Sequence, residues 1–160
     1  MAETSLQTPD KYQDILFDKP VIEMFCDLIV EDEELNAVIL HVLDSVQKAE
    51  LVTIKSITNS VCLERRVLIK KGKRKIFDIQ EENMSRGAAT KAVENLIKMS
   101  LLHVRYDQRL KIYGLTKRGI QVAGAVYQHN KKLYMEQQAI TAEGTFHTTG
   151  PNSESITPNN

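Results

Sequence analysis

The sequence predicts a mainly α-helical domain with a small antiparallel β component, an α+β fold class. Apolar residues recur at three- and four-residue spacing in several separate stretches, which is the pattern of helices with one buried face. Near residue 105, two short segments rich in β-branched and aromatic residues flank a polar turn, which predicts a hairpin. The chain has 160 residues, 42% of them hydrophobic and 26% charged, so it is long enough to bury a core.

The N-terminal part predicts a flexible segment followed by a helix. Residues 1–17 carry no helical repeat, and we expect them to be flexible. Asp18 is a candidate cap, and Pro20 is tolerated in a first helical turn. Apolar residues from Val21 to Ile29, including Phe25, then lie on one face.

Two further helices are predicted before residue 64. The acidic run 31–34 suits a helix N-terminus, where negative charge meets the positive end of the helix dipole. The apolar repeat behind it runs from Leu35 to Val46. Residues 49–53 are a candidate short strand that pairs with the later hairpin, and residues 54–63 form the third predicted helix.

The stretch 64–84 is strongly basic around a glycine. Two apolar runs, 67–69 and 76–79, flank the basic tip, a pattern typical of a β-hairpin. A helix continuing through residues 65–71 is the alternative. Seven of the eleven residues from Arg65 to Lys75 are positively charged, which makes this stretch a candidate for phosphate contact.

The stretch 85–119 predicts a helix, a hairpin and the start of another helix. Asn83 or Ser85 can cap the helix at 85–99. Its apolar stripe is Ala89, Ala92, Val93, Leu96 and Ile97, and its opposite, polar face is Arg86, Thr90, Lys91, Asn95 and Lys98. Strands follow at 102–106 and 110–115, with Thr116 as the cap of the last helix.

This stretch resembles winged helix-turn-helix DNA-binding proteins, especially the MarR-type regulators. The resemblance rests on the small-residue helix, the basic hairpin and the closing run 115–119. The pattern from Lys111 to Thr116, with Gly119, is similar to that of the TubR-like proteins that bind plasmid centromeres. The resemblance implies a recognition helix at 85–99, a wing at 102–115, and a helix-turn-helix core with extra helices at both ends. The 21 residues 64–84, between the third predicted helix and the recognition helix, depart from that pattern.

In the MarR-type proteins that the chain resembles, the terminal helices make a dimer interface. The last helix, 116–140, carries an apolar stripe longer than one small domain needs, which is typical of an oligomer contact. We therefore expect a homodimer and a winged-helix domain at 18–140, followed by a disordered tail at 141–160. The candidate interface residues are Val21, Phe25, Val126, Tyr127, Leu133 and Tyr134.

The zero net charge hides a strong division along the chain. Residues 65–118 hold 15 Lys and Arg against 5 Asp and Glu, whereas the other 106 residues hold 6 against 16. Such a basic segment is expected of a surface that displaces counterions from phosphates; a solvated face with clustered charges is the alternative. The candidate DNA-binding residues are Arg86, Thr90, Lys91, Asn95, Lys98, Arg105, Arg109, Lys111, Lys70, Lys71, Lys73, Arg74 and Lys75.

Other function classes find little support in the sequence. Cys26 and Cys62 stand singly inside apolar patterns, so we expect buried free thiols in a reducing compartment and no metal site. No phosphate-binding glycine loop, nucleophile constellation or effector pocket is evident, and we expect no enzyme, no cofactor and no small-molecule effector. Because no membrane span or signal peptide is evident, a cytoplasmic protein with no membrane partner is predicted.

The sequence therefore predicts a protein that binds double-stranded DNA selectively, most simply a dimeric transcriptional regulator. Two alternatives stay open. One is a centromere-binding or replication-initiation protein of a plasmid or phage. The other is a winged helix used only for protein contacts, for which an apolar rather than a cationic helix face is expected.

Overall fold

The computed structural model describes residues 15–143, with side chains as far as residue 141. The predicted flexible N-terminus and disordered tail therefore lie largely outside the described residues. The described elements are α1 (Lys19–Glu31), α2 (Glu33–Gln47), α3 (Ile54–Ser60), β1 (Cys62–Lys71), β2 (Arg74–Asn83), α4 (Arg86–Lys98), β3 (Leu102–Asp107), β4 (Leu110–Leu115) and α5 (Lys117–Glu143). This is a mixed α+β arrangement of helices and antiparallel hairpins, as predicted.

The chain divides into two compact units between Tyr127 and Gln128, inside α5. The first unit contains α1 to β4 and the start of α5. The described part of the second unit is the remainder of α5, and the exposed side chains there run through residue 141.

The core of the first unit is built from the predicted helix faces. Val38, Ile39 and Val42 of α2 are fully buried, as are Ala89 and Leu96 of α4. Helix α4 packs against α2 and α3. The small residues of its inner face allow this close approach, because they add little bulk between the helix axes.

Val126, predicted as a dimer contact, lies in this core. It is fully buried, together with Val122 and Ala123 of α5. The prediction was wrong for this residue because helical spacing identifies an apolar face without showing what covers it. The covering surface here belongs to the same chain, so Val126 is not available to a second copy.

The starts of α2 and α4 carry side-chain capping bonds. The Asp32 carboxylate accepts from the Leu35 N–H at 3.0 Å, and the Ser85 hydroxyl accepts from Ala88 N–H at 3.2 Å. Ser85 is therefore the cap of α4. Asp18 occupies the cap position of α1 without a side-chain capping bond.

Helices α2 and α4 end on residues with a left-handed backbone, although neither is glycine. Ala49 has φ 56° and Ser100 has φ 61°. Behind them, Glu50 N–H donates to the Ser45 carbonyl at 2.8 Å, and Leu101 N–H donates to the Leu96 carbonyl at 2.9 Å. These six-to-one bonds belong to the Schellman type of helix ending.

The basic stretch 64–84 is part of a long hairpin, which we call the arm (Cys62–Asn83). Its strands β1 and β2 have ten residues each and are joined by the turn Gly72-Lys73, where Gly72 has φ +63°. The hairpin prediction is confirmed, and the alternative helix at 65–71 is wrong. The arm also begins earlier than expected, because α3 ends at Ser60.

A second hairpin, β3–β4, follows α4. Leu102 pairs with Leu115 at its base and Asp107 with Leu110 at its tip. The predicted pairing of residues 49–53 with this hairpin is confirmed as one bridge, in which the Tyr113 N–H donates to the Val52 carbonyl at 2.9 Å.

Candidate functional site

The outer face of α4 presents cations to solvent. Arg86, Lys91 and Lys98 are exposed, whereas Thr90 and Asn95 are partly buried. The exposed carboxylate on this helix is Glu94, so positive charge dominates the face. The arrangement follows from the buried stripe on the opposite side, because burial of one helix face fixes which side chains face solvent.

Thr90 is less free than the sequence suggested. Its hydroxyl donates to the Arg86 carbonyl at 2.8 Å, one turn earlier in the helix. A threonine bonded in this way keeps its methyl group and its oxygen lone pairs for an external partner, but its proton is already used. A hydroxyl donor role for Thr90 therefore requires a change of rotamer.

The β3–β4 hairpin adds a second exposed cationic surface directly after α4. Arg105, Arg109 and Lys111 are exposed, and Arg109 adjoins the tip of the hairpin. The Lys111 ammonium lies 5.7 Å from the ring centroid of Tyr106, its partner across the two strands. That distance is within the range of a cation–π contact.

Tyr106 was not among the predicted site residues. Its side chain is 52% exposed beside Arg105 and Lys111. Strand register could have identified Tyr106, because an aromatic residue directly opposite a lysine in a hairpin lies on the same face of the sheet as that lysine. A flat aromatic ring among cations can contact sugars or unstacked bases.

His103 lies on the inner part of the same hairpin. Burial lowers the pKa of this histidine, and the nearby Arg105 charge lowers it further. Its ring covers Gly114, its cross-strand partner: a Cβ at Gly114 would come within 2.7 Å of the His103 Cε1. The imidazole is therefore a packed, neutral group near pH 7 rather than a cation of the surface.

The arm carries its cations at the tip. Lys70, Lys71, Lys73, Arg74 and Lys75 are all exposed, and the register places Lys70 opposite Lys75 and Lys71 opposite Arg74. Like charges in directly opposed positions destabilise a hairpin. Within residues 15–141, none of these five groups makes an ion pair, so the tip presents unneutralised positive charge. Near the base, the Arg65 guanidinium pairs with the Glu34 carboxylate at 3.1 Å.

The arm also exposes apolar side chains that the sequence-based reasoning did not single out. Phe77 is 72% exposed and Ile79 is 62% exposed, and Leu68 lies opposite Phe77. These side chains belong to the two apolar runs, 67–69 and 76–79, from which the hairpin was predicted. In the structure, every residue of β2 is exposed.

The remaining predicted dimer residues fall into two groups, one in each unit. In the first unit, Val21 is partly buried and the Phe25 ring stacks on Phe17 at a centroid distance of 5.1 Å, while Tyr127 is half exposed. In the second unit, Leu133 and Tyr134 are exposed. The Tyr134 hydroxyl accepts from the Gln138 side chain at 2.7 Å.

Other site types find no support among the described residues. Between residues 15 and 141 there is no group of three or more His, Cys, Asp or Glu side chains that could hold a metal ion. No helix in the described range is long and apolar enough to cross a membrane. His41 is partly buried, and burial lowers its pKa. Of the two cysteines expected to be buried, Cys26 is buried and Cys62 is exposed.

The site is thus made of two exposed cationic surfaces in succession along the chain, α4 and the β3–β4 hairpin, preceded by the basic tip of the arm. Comparison with protein-family models, curated proteins and solved structures finds no match.

Proposed function

We propose that this chain binds double-stranded DNA as a winged helix-turn-helix protein. In this proposal α4 is the recognition helix in the major groove, α3 supports it, and the β3–β4 hairpin is the wing. The observation that carries the proposal is the division of α4 into a buried small-residue face and an outer face on which Arg86, Lys91 and Lys98 are exposed.

Sequence selectivity would come from the outer face of α4. Arg86 can donate two hydrogen bonds to a guanine edge, and Asn95 can both donate to and accept from adenine. Lys91 has a single charged group that reaches either a base edge or a phosphate. Thr90 would contribute its methyl group to a thymine contact, because its proton is held by the Arg86 carbonyl.

Affinity and register would come from phosphate contacts. Lys98, Arg105, Arg109 and Lys111 are exposed on or after α4, and the five cations of the arm tip add further exposed positive charge. Each phosphate that a protein neutralises releases counterions, so binding weakens linearly with the logarithm of salt concentration.

The narrower form of the proposal is a dimeric transcriptional regulator. Leu133 and Tyr134, exposed in the second unit, are the proposed apolar contacts between two copies. A two-fold dimer reads a palindrome, because its two recognition helices are related by the same axis as the half-sites. Duplexes selected from a random pool should then share one inverted repeat. An array of direct repeats would support a partition or replication role instead.

The test of DNA binding replaces Arg86 or Lys91 with alanine. Each change should weaken binding to the selected duplex by about 1 to 3 kcal/mol. Arg86→Ala should also relax the base preference at one position of the site. The measurement is a fluorescence anisotropy titration at several salt concentrations.

The matched control is Lys19→Ala, which removes the same charge from an exposed position on α1. It should leave the dissociation constant within about twofold. Equal affinities for wild type, Arg86→Ala and Lys91→Ala would contradict the recognition-helix assignment.

A further inference from the structure

The outer edge of β2 has no strand partner within the described part of the chain. The sheet of the arm consists of β1 and β2 alone, and all ten residues of β2 are exposed. An isolated two-stranded hairpin is marginally stable in water, and a long open edge is a template for another strand. The arm therefore needs a partner for its outer edge.

The backbone groups that face this open edge can be identified. In a hairpin with a two-residue turn, the flanking residues form a hydrogen-bonded pair, and here that pair is Lys71 and Arg74. Even-numbered residues of β2 therefore direct their N–H and carbonyl groups to β1, and odd-numbered residues direct theirs outward. Ile79 agrees with this assignment, since its N–H donates to the Asp78 carboxylate at 3.0 Å rather than to a strand.

The side chains of β2 are ordered by charge along the strand. The strand begins with Arg74 and Lys75, continues through Ile76, Phe77 and Ile79, and ends near Glu81 and Glu82. When two copies of such a strand run antiparallel, the basic start of each lies beside the acidic end of the other. We propose that β2 pairs with β2 of a second copy of this chain, so that two arms form one four-stranded antiparallel sheet.

Symmetry restricts the register of this pairing. A two-fold axis perpendicular to the sheet requires one residue to face its own copy. With Asp78 at the axis, Lys75 faces Glu81 of the second copy and Arg74 faces Glu82, which gives four opposite-charge pairs in total. Phe77 then faces Ile79 of the second copy, and both are odd-numbered residues with outward backbone groups.

Neighbouring registers lose these contacts. With Phe77 at the axis, Lys75 faces Ile79 and Arg74 faces Gln80, so no charge pair forms. With Ile79 at the axis, Phe77 faces Glu81. The register centred on Asp78 is therefore favoured, at the cost of two Asp78 carboxylates that approach each other at the axis.

The outer edge of β1 is a poorer match for itself. Its acidic residue is Glu64, against Arg65, Arg66, Lys70 and Lys71. The edge of β2 is also unsuited to binding a DNA duplex, because Asp78, Glu81 and Glu82 would face phosphates. Pairing of β2 engages Arg74 and Lys75 with the second copy and leaves Lys70, Lys71 and Lys73 for DNA.

The first test is a site-specific cross-link in the full chain. Asp78→Cys in a Cys62→Ser background should form a disulfide-linked dimer on mild oxidation. Facing residues of a non-hydrogen-bonded pair have Cα atoms about 4.5 Å apart, which a disulfide spans. The control is Ile76→Cys in the same background, whose two copies would lie roughly 14 Å apart along the strands. Equal cross-linking of the two variants would overturn the proposal.

The second test is a charge reversal with rescue. Arg74→Glu with Lys75→Glu, or Glu81→Lys with Glu82→Lys, should each weaken self-association about tenfold or more, since four cross-strand pairs become repulsive. The four changes together should restore it. Asp78→Asn, which removes the repulsion at the axis, should strengthen association. Sedimentation of the protein without DNA measures all of these.

Two comparisons distinguish the strand pairing from the proposed self-contact at Leu133 and Tyr134 and from the proposed DNA binding. Leu133→Glu with Tyr134→Glu removes the other proposed self-contact and should leave the Asp78→Cys cross-link intact. If the four-change variant fails to restore association but the Arg74 and Lys75 changes weaken DNA binding, these cations serve phosphates and the strand pairing is wrong. Because the cross-link is measured without DNA, its failure leaves the proposed DNA binding untouched.

Discussion

Gly119 lies in the first turn of α5, at the junction where this helix approaches the backbone just before β3. A Cβ added there would lie 1.9 Å from the Leu101 carbonyl oxygen, and that oxygen already accepts from the Thr116 N–H at 3.0 Å. Gly119→Ala should therefore lower the free energy of unfolding by about 3 kcal/mol or more, since backbone atoms must shift. Urea denaturation measures the loss.

Gly124→Ala is the matched comparison for this change. Gly124 lies in the same helix, and no atom approaches a Cβ there within 4 Å. Alanine is favoured over glycine in a helix interior by up to about 1 kcal/mol, so this variant should be more stable than wild type. Similar losses for Gly119→Ala and Gly124→Ala would show that the contact with Leu101 does not control the junction.

His103 should make stability fall in mild acid. Burial, and secondly the Arg105 charge, hold its pKa below the value of about 6.5 that it has in an unfolded chain. As pH falls through that value, the unfolded chain binds the proton first and gains stability relative to the folded chain. The stability contributed by neutral His103 is thus present above pH 6.5 and is lost as pH falls toward the folded pKa.

Urea midpoints at pH 7.5 and pH 5.5 test this pH dependence. His103→Gln should lose less stability than wild type over this interval, because glutamine does not titrate. A remaining part of the loss is expected from His41, whose pKa is also lowered by burial. An identical pH dependence in wild type and His103→Gln would contradict the assignment.

At the scale of elements, the local signals predicted most of the fold. Apolar periodicity located the helices, and the predicted caps at Ser85 and Thr116 are present, since their hydroxyls accept from the Ala88 N–H at 3.2 Å and the Gly119 N–H at 3.0 Å. The helix ends at Ala49 and Ser100 could not be anticipated, because the left-handed backbone there is not marked by glycine. At Ser100, a residue distant in the chain stabilises the ending, since the Thr116 hydroxyl donates to the Ser100 carbonyl at 2.7 Å.

The candidate site was predictable where charge decides exposure. Lysine and arginine side chains are costly to bury, so Arg86, Lys91 and Lys98 face solvent as expected. The exposure of an apolar side chain cannot be predicted in this way. Val126 is covered by its own chain and Phe77 is exposed, because residues distant in sequence decide whether an apolar side chain is covered.

At the scale of the whole molecule, basic and acidic residues are separated along the chain. The segment 65–118, with 15 basic and 5 acidic residues, contains most of the arm, all of α4 and the β3–β4 hairpin. The acidic remainder lowers the net charge without neutralising these surfaces. Long-range attraction to a polyanion should therefore depend strongly on ionic strength.

The way the arm is attached makes it removable. It leaves and re-enters at one point, where Met84 N–H donates to the Val61 carbonyl at 2.9 Å and the Cys62 thiol donates to the Asn83 side chain at 3.0 Å. Leu63 is the arm residue that is buried, at 3% exposure. Everything past Glu64 contributes little to the body of the first unit.

Replacing residues 66–79 with Asn-Gly should yield a shortened protein that still folds. The dipeptide closes a tight turn between Arg65 and Gln80, which form a hydrogen-bonded pair in the register of the arm, and the Arg65–Glu34 ion pair is retained. Urea unfolding should stay cooperative, and loss of cooperativity would contradict this expectation. The arm can therefore be deleted as one contiguous segment of the gene. The rest of the first unit could then be studied alone, and the arm could be grafted onto another protein.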